Sequence, residues 1–353
     1  AMGEAASGAD CGAGALPGEA DVVIIGAGVA GLACAAGLAV AAAGAPWRVL
    51  VLEASDQIGG RARSADVGGY PVDVGAGWVH GVEGNPLLED GVLEPSDLAL
   101  CSTGNIWTAG PAALDSSNFQ PSADESAAWR ARLETLGAVA SAAESTGAPC
   151  DLPLELRRAA SGWSVADERF LRAFELWLGA PAEALPAGEW VPGARLGDFP
   201  GPHAVVRQGM PLVAHRLLAR AGDLCEVVLQ AEVEAVDEDE CGLAVRAAFA
   251  GGTRGVIRCR WAVCTASLGA LQREDAALAV SPPLPDALRA AIKRLRMSAY
   301  CKCILALRAE AAAGLSTWTW TDSGLFPMAF NYYRVLGKPL VACTSVDLAF
   351  GGL

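Results

Sequence analysis

Six residues, Gly26-Ala27-Gly28-Val29-Ala30-Gly31, constrain this chain more than any other part of it. They follow Asp21–Ile25 (DVVII), an apolar run suited to a strand buried on both faces. They lead into Leu32–Ala43, rich in helix formers and ending at Gly44, a good C-cap residue. Arg48–Leu52 (RVLVL) reads as a second buried strand and is closed by Glu53. Strand, glycine turn, helix and strand make one βαβ unit. Gly26 permits the tight turn, Gly28 lets a pyrophosphate approach the backbone, and Gly31 lets helix and strand pack closely. The helix start, following Ala30 and Gly31, offers N–H groups and partial positive charge to phosphates. Glu53 stands roughly twenty residues beyond the last glycine, where an acid accepts hydrogen bonds from ribose hydroxyls. A carboxylate there repels a 2′-phosphate, so NADP is disfavoured; the loop itself does not separate NAD from FAD.

The chain has 353 residues, enough for two domains and a large core without disulfide staples. Its formal charge of −14 argues against a nucleic-acid partner, which needs Lys and Arg to displace phosphate counterions. A field of that sign steers a cationic substrate inward. The 11 cysteines lack CxxC pairs and framework spacing, which points to a reducing compartment. Cys301-Lys302-Cys303 puts two thiols on one strand face and resembles neither a zinc site nor a disulfide, so no metal is expected. Residues 1–20 read as a disordered segment with no basic or apolar region of a signal peptide. No membrane span is expected, because the Ala-rich run 22–47 divides into strand, turn and helix. A cytoplasmic or peroxisomal location is the expectation.

Further along, residues 122–185 alternate helical stretches with breakers, and Leu212–Ala221 reads as a helix. Glu226–Leu229, Glu232–Asp237, Leu243–Phe249, Val256–Arg260 and Trp261–Cys264 read as a β-meander. Asp286–Leu295 has helical apolar spacing, and Cys301–Leu307 and Leu340–Cys343 read as strands of a second sheet.

The segment after the second strand separates the cofactors. Glu53-Ala54-Ser55-Asp56-Gln57-Ile58-Gly59-Gly60-Arg61-Ala62-Arg63 resembles the signature of the flavin-containing amine oxidase family. The resemblance continues at Gly75-Ala76-Gly77-Trp78-Val79-His80-Gly81 and Gly84-Asn85-Pro86-Leu87, in the form closest to the polyamine oxidases. Weaker matches follow at Glu232-Val233-Glu234, at Ala262–Leu271 with Ser267 where proline is usual, and at Arg207-Gln208-Gly209-Met210. Met297–Lys302 resembles the strand that bears the family's flavin lysine.

The resemblance implies FAD as cofactor and a glutathione-reductase-like Rossmann-type α/β domain beside an α+β substrate domain. Residues 21–100 and 201–285 would form the FAD-binding domain, and 101–200 and 286–353 the substrate-binding domain. Gly60 and Arg61 would run along the pyrophosphate and flavin, Gly75, Ala76, Gly77 and Trp78 along the flavin, and the Val233 backbone against the adenine. Lys302 would hold a water beside flavin N5. His80 would face the substrate tunnel and take a proton from an ammonium. Trp78, Tyr332 and Tyr333 are candidates for aromatic walls around a cationic chain. A structural role for His80, sheet packing for the two tyrosines and a solvated strand-edge position for Lys302 stay open on sequence alone.

The implied reaction is FAD-dependent oxidation of a small cationic amine, a polyamine in the first place, with molecular oxygen as the second substrate. Two other readings stay open: a non-catalytic FAD-binding interaction module, and a flavin desaturase or porphyrinogen oxidase. The resemblance stops before the family's last FAD segment, so the C-terminal part of the fold is expected to be missing and FAD to be held loosely.

Overall fold

The computed structural model describes residues 18–42, 47–101, 138, 175–176, 179–181, 199–274, 278–320, 326 and 328–346. Gly44, most of 101–200 and the last seven residues, on which several expectations fell, lie outside these. The chain divides into two compact units, Ala1–Gly60 with Ala214–Leu295 and Arg61–Val213 with Arg296–Leu353.

In the first unit, seven strands of the described residues form one sheet. Its parallel part is β1 (Glu19–Ile25) between β2 (Val49–Leu52) and β10 (Arg254–Cys264), with β7 (Cys225–Val228) outside β2. All four residues of β2 are at most 1% exposed, as a strand covered on both faces requires. Between β1 and β2 runs α1 (Val29–Ala41), which buries Gly31, Leu32, Ala35 and Ala36. Three small residues at these positions bring the helix axis close to the sheet. The strand begins at Glu19 and the helix at Val29, each a little earlier than the hydrophobic pattern suggested.

The expected meander is corrected in two places. Val256–Arg260 and Trp261–Cys264 are a single strand, β10. Its first part pairs antiparallel with β9 (Gly242–Phe249) and its second part parallel with β1. Nothing in the sequence marks the point where the partner changes. Glu226–Leu229 does not join the meander either: β7 pairs with β2. Gln230, at a left-handed φ of 53°, turns the chain into β8 (Ala231–Asp239), which pairs with β9. At the far edge β11 (Ala279–Ser281) runs parallel to β8.

In the second unit, β12 (Cys301–Ala306), β15 (Leu340–Ser345), β14 (Met328–Asn331) and β13 (Trp318–Trp320) form an antiparallel sheet in that order. The two expected strands of a second sheet are thus direct neighbours, with Lys302 opposite Thr344. Two further antiparallel strand pairs belong to this unit. In β3 (Ser64–Val67) and β4 (Tyr70–Asp73) the turn is Gly68-Gly69, both at positive φ, which suits a two-residue hairpin. β5 (Leu98–Cys101) pairs with β6 (His203–Val206) across a long sequence gap. The core of this unit gathers Val72, Ala99, Cys101, Val205, Trp318, Phe330, Tyr332, Leu340 and Ala342. Among the described residues no helix is long and apolar enough to cross a membrane.

Candidate functional site

The glycine loop of the first unit is fixed from below by two side chains. Glu53 Oε2 accepts the Ala27 N–H at 2.7 Å, and its Oε1 accepts the Ser55 N–H at 2.9 Å and hydroxyl at 2.8 Å. A carboxylate has about four acceptor sites, so Glu53 keeps one for a ribose hydroxyl. Thr265, just past β10, donates its hydroxyl to the carbonyls of Ile25 (2.9 Å) and Gly26 (3.1 Å). Sequence reasoning named Glu53 for the ribose and passed over Thr265. Both turn out to shape the loop itself.

The glycines have distinct geometry. Gly26 sits at φ +102°, and a Cβ on Gly31 would lie 2.0 Å from the Gly26 carbonyl oxygen. Gly28 and Gly59 form a parallel bridge pair, and a Cβ on Gly60 would lie 3.2 Å from the Gly28 Cα. A Cβ on Gly28 would meet nothing within 4 Å, so this side of the loop is open to a ligand. No side chain caps α1 at Gly28 and its first turn carries no acid, so the N–H groups of that turn stay available to a phosphate. Ala30 and Ala54 are exposed there. Val233 lies at a bulge in β8, where the register to β9 shifts between Val233 and Ala235.

In the second unit the site residues converge on β4 and the loop behind it. Val74 and Gly75 donate their N–H groups to the Arg63 carbonyl, and Ala76 donates to the Arg61 carbonyl at 3.0 Å. A Cβ on Gly75 would lie 1.8 Å from the Arg61 oxygen, which explains a glycine there. The Arg61 side chain is exposed. Lys302 reaches from β12 into this loop and donates to the carbonyls of Asp73 (3.2 Å) and Gly75. Gly77 leaves room for it, since a Cβ there would stand 3.3 Å from Nζ. Burial pushes the Lys302 pKa down, and the Asp73 carboxylate opposes that.

Asp73 is 5% exposed; its Oδ1 accepts the Ser64 hydroxyl at 2.7 Å and the Met210 N–H at 2.9 Å. Burial raises its pKa, against the pull of these bonds and of Lys302 and Lys338. Trp78 stacks on Trp318 (centroids 5.4 Å, planes 17° apart) and meets Phe330 edge-on at 4.8 Å. Tyr332 is 5% exposed and packs against Phe330, while Tyr333 is half-buried in the following turn. The structure therefore places Tyr332 in the core rather than on an open wall. His80 is exposed, with its ring 5.3 Å from that of His203, a residue sequence reasoning passed over.

A buried strand, a glycine loop, a helix and a second strand closed by an acid define a dinucleotide-binding fold. The family comparison narrows this. A family model described as NAD(P)-binding Rossmann-like domain matches residues 24–92, and one described as flavin containing amine oxidoreductase matches residues 120–350. The second spans more than half of the sequence, and the chain belongs to the flavin-containing amine oxidoreductase family. Polyamine oxidase 1 of Oryza sativa subsp. japonica is 46% identical over 66 residues, 19% of this chain and 13% of the relative. Probable polyamine oxidase 5 of Arabidopsis thaliana is 26% identical over 325 residues, 78% of this chain and 60% of the relative. The chain thus matches less than two thirds of the length of either relative. A mutant putrescine oxidase with redesigned cofactor binding superposes with a TM-score of 0.64 at 19% identity, over 95% of this chain and 77% of that one. At that identity the likeness shows the fold.

FAD is the cofactor this family implies, and the residues present fit it. The open side of Gly28, the uncapped start of α1 and the spare acceptor on Glu53 suit a pyrophosphate and a ribose. Glu53→Ala is expected to weaken FAD binding by about 1–3 kcal/mol, the cost of unpaired polar groups. Because Ala27 and Ser55 also lose their acceptor, the apoprotein should melt lower. Equilibrium dialysis with FAD and a thermal melt check the two parts separately, and unchanged affinity would remove Glu53 from the site.

Proposed function

We propose that this protein oxidises a small cationic amine, with polyamines such as spermine, spermidine or their acetylated forms as the substrate class. The observation that carries the reading is the half-buried Lys302 ammonium donating to the Asp73 and Gly75 carbonyls in the loop that leads to Trp78. An ammonium withdrawn from water is costly unless paired, and one of its partners here is the carbonyl of Gly75, in the loop that the family places along the flavin. Bound FAD would supply the electron sink for loss of a hydride from the amine α-carbon, and with oxygen and water the overall products would be aldehyde, amine and hydrogen peroxide.

The protein contributes binding, orientation and proton handling. In the first unit the proposed FAD contacts are Gly26, Gly28, Ala30, Gly31, Glu53, Ala54, Gly60 and Val233. In the second they are Arg61, Gly75, Ala76, Gly77 and Trp78. Lys302 keeps a proton donor at the loop, and its lowered pKa brings proton release within easier reach. His80, exposed, takes the proton from the incoming ammonium so that the neutral amine can give up a hydride. Trp78 and Tyr333 offer aromatic surface to the cationic chain. The acidic net charge of −14 favours approach of such a substrate. The FAD-binding part is taken as 21–100 with 201–285 and the substrate-binding part as 101–200 with 286–353.

The test is a visible spectrum of the purified protein, followed by anaerobic addition of spermine. Flavin absorption that bleaches with spermine, and peroxide release once air is admitted, are the expected results. Flavin bands that no amine bleaches would favour the interaction module or a desaturase or porphyrinogen oxidase.

A further inference from the structure

We infer that His203 is a positioning residue for the substrate-facing loop, holding His80 in place through the Gly81 N–H. The inference rests on the reading of His80 as the residue that meets the amine.

His203 opens β6, and its Nδ1 accepts the Gly81 N–H at 3.0 Å. Nδ1 can accept only in the neutral ring, which puts the remaining proton on Nε2. The Gly81 carbonyl is held in turn, by the side-chain N–H of Asn85 at 2.9 Å. Asn85 is 6% exposed, so both polar groups of this one peptide position are tied to side chains. On the other side of His80, Val79 and Ala204 exchange both backbone hydrogen bonds, at 2.8 and 2.9 Å. The Phe199 N–H donates to the His80 carbonyl at 3.1 Å.

Gly81 is forced into this arrangement. Its φ is +72°, and a Cβ on it would lie 1.6 Å from the Phe199 carbonyl oxygen. A residue in left-handed backbone at such close quarters sets the direction of the chain on both sides of it. The backbone around His80 is therefore fixed on one side by the Val79–Ala204 exchange and on the other by His203. The two rings also touch, edge to face at 73°, with centroids 5.3 Å apart. His203 thus meets His80 twice: through the peptide that follows it and through its ring. Without the acceptor, the Gly81 N–H loses its partner and the loop gains freedom where the imidazole must be aimed.

The experiment uses the full chain with His203→Phe, which keeps a ring and removes the acceptor, and His203→Asn, whose side-chain oxygen stands near the Nδ1 position. Two readouts are taken: amide hydrogen exchange at Gly81 without substrate, and kcat and KM for spermine with FAD content measured alongside. His203→Phe should speed Gly81 exchange and lower kcat/KM, each by roughly three- to tenfold, the value of one hydrogen bond, with FAD content unchanged. His203→Asn should restore both. If His203→Phe does not fold, His203→Gln, whose oxygen sits at the Nε2 position, replaces it with the same expectation. Unchanged Gly81 exchange overturns the inference. So does faster exchange with unaltered amine kinetics, or failure of His203→Asn to rescue. If the wild-type chain oxidises no amine, the exchange result alone decides the hydrogen bond, and the loss falls on the reading of the activity.

Discussion

A Lys302→Met variant should retain FAD and turn over at least about a hundredfold more slowly with amine, the usual scale for losing a positioned acid or base. Methionine keeps most of the stem and removes the ammonium that donates to Asp73 and Gly75. Anaerobic stopped-flow reduction and separate reoxidation would show which half-reaction slows. The same variant tests the burial of the group. Burial depresses the Lys302 pKa in the folded protein below its ordinary 10.5. Across the interval between the two values the unfolded chain holds a proton that the folded one has released, so stability rises with pH. The stability Lys302 contributes is fully present above 10.5 and is lost as pH falls through the depressed value. The melting temperature of the wild type minus that of Lys302→Met should therefore climb as pH is raised toward 10.5. A flat difference together with normal turnover would place the amine in solvent and away from the chemistry.

Gly31→Ala should cost about 1–3 kcal/mol of stability, as overpacking does, and should yield protein that retains little flavin. The new methyl would stand 2.0 Å from the Gly26 oxygen and 3.0 Å from the Thr265 hydroxyl. Neither neighbour can retreat easily, because the Thr265 hydroxyl is itself bonded to the Ile25 and Gly26 carbonyls. Relief must come from α1 moving outward, which takes its N–H groups away from the pyrophosphate. Gly37 on the same helix is the control, since a methyl there meets nothing within 4 Å. Gly37→Ala should gain roughly 0.5–1 kcal/mol through helix propensity. Thermal melts and flavin absorbance per protein measure both, and a yellow Gly31→Ala protein with a normal melt would refute the packing argument.

What could be read from the sequence was local. The βαβ unit was legible because Val22–Ile25 and Val49–Leu52 are apolar at every position and the glycines between them leave one way to turn. The pairing of β12 with β15 was legible only as membership of one sheet. The continuity of β10 was not, because its two halves differ in partner and not in strand propensity. The candidate site divides along the same line. Glu53 and Lys302 stood out by their neighbours in sequence. His203 did not, because its bond to Gly81 spans 122 residues and a histidine before Ala-Val-Val carries no mark of its partner. Tyr332 was ambiguous for another reason: two adjacent tyrosines point in different directions, and only tertiary packing decided which one entered the core with Phe330.

The order in which the sheet of the first unit draws on the chain has a consequence for how the protein is made. β1 at Glu19–Ile25 lies between β2, its near neighbour in sequence, and β10 at Arg254–Cys264. A ribosome adding about 5–20 residues per second leaves the β10 edge of β1 bare for on the order of ten to fifty seconds. During that wait a largely apolar strand pair carries an open row of backbone donors and acceptors, the template that other nascent chains extend. Parallel pairing over such a separation is slow to close even once the segment has emerged. Yield on expression should therefore depend on holdase chaperones and on slow synthesis at low temperature far more than the finished sheet would suggest.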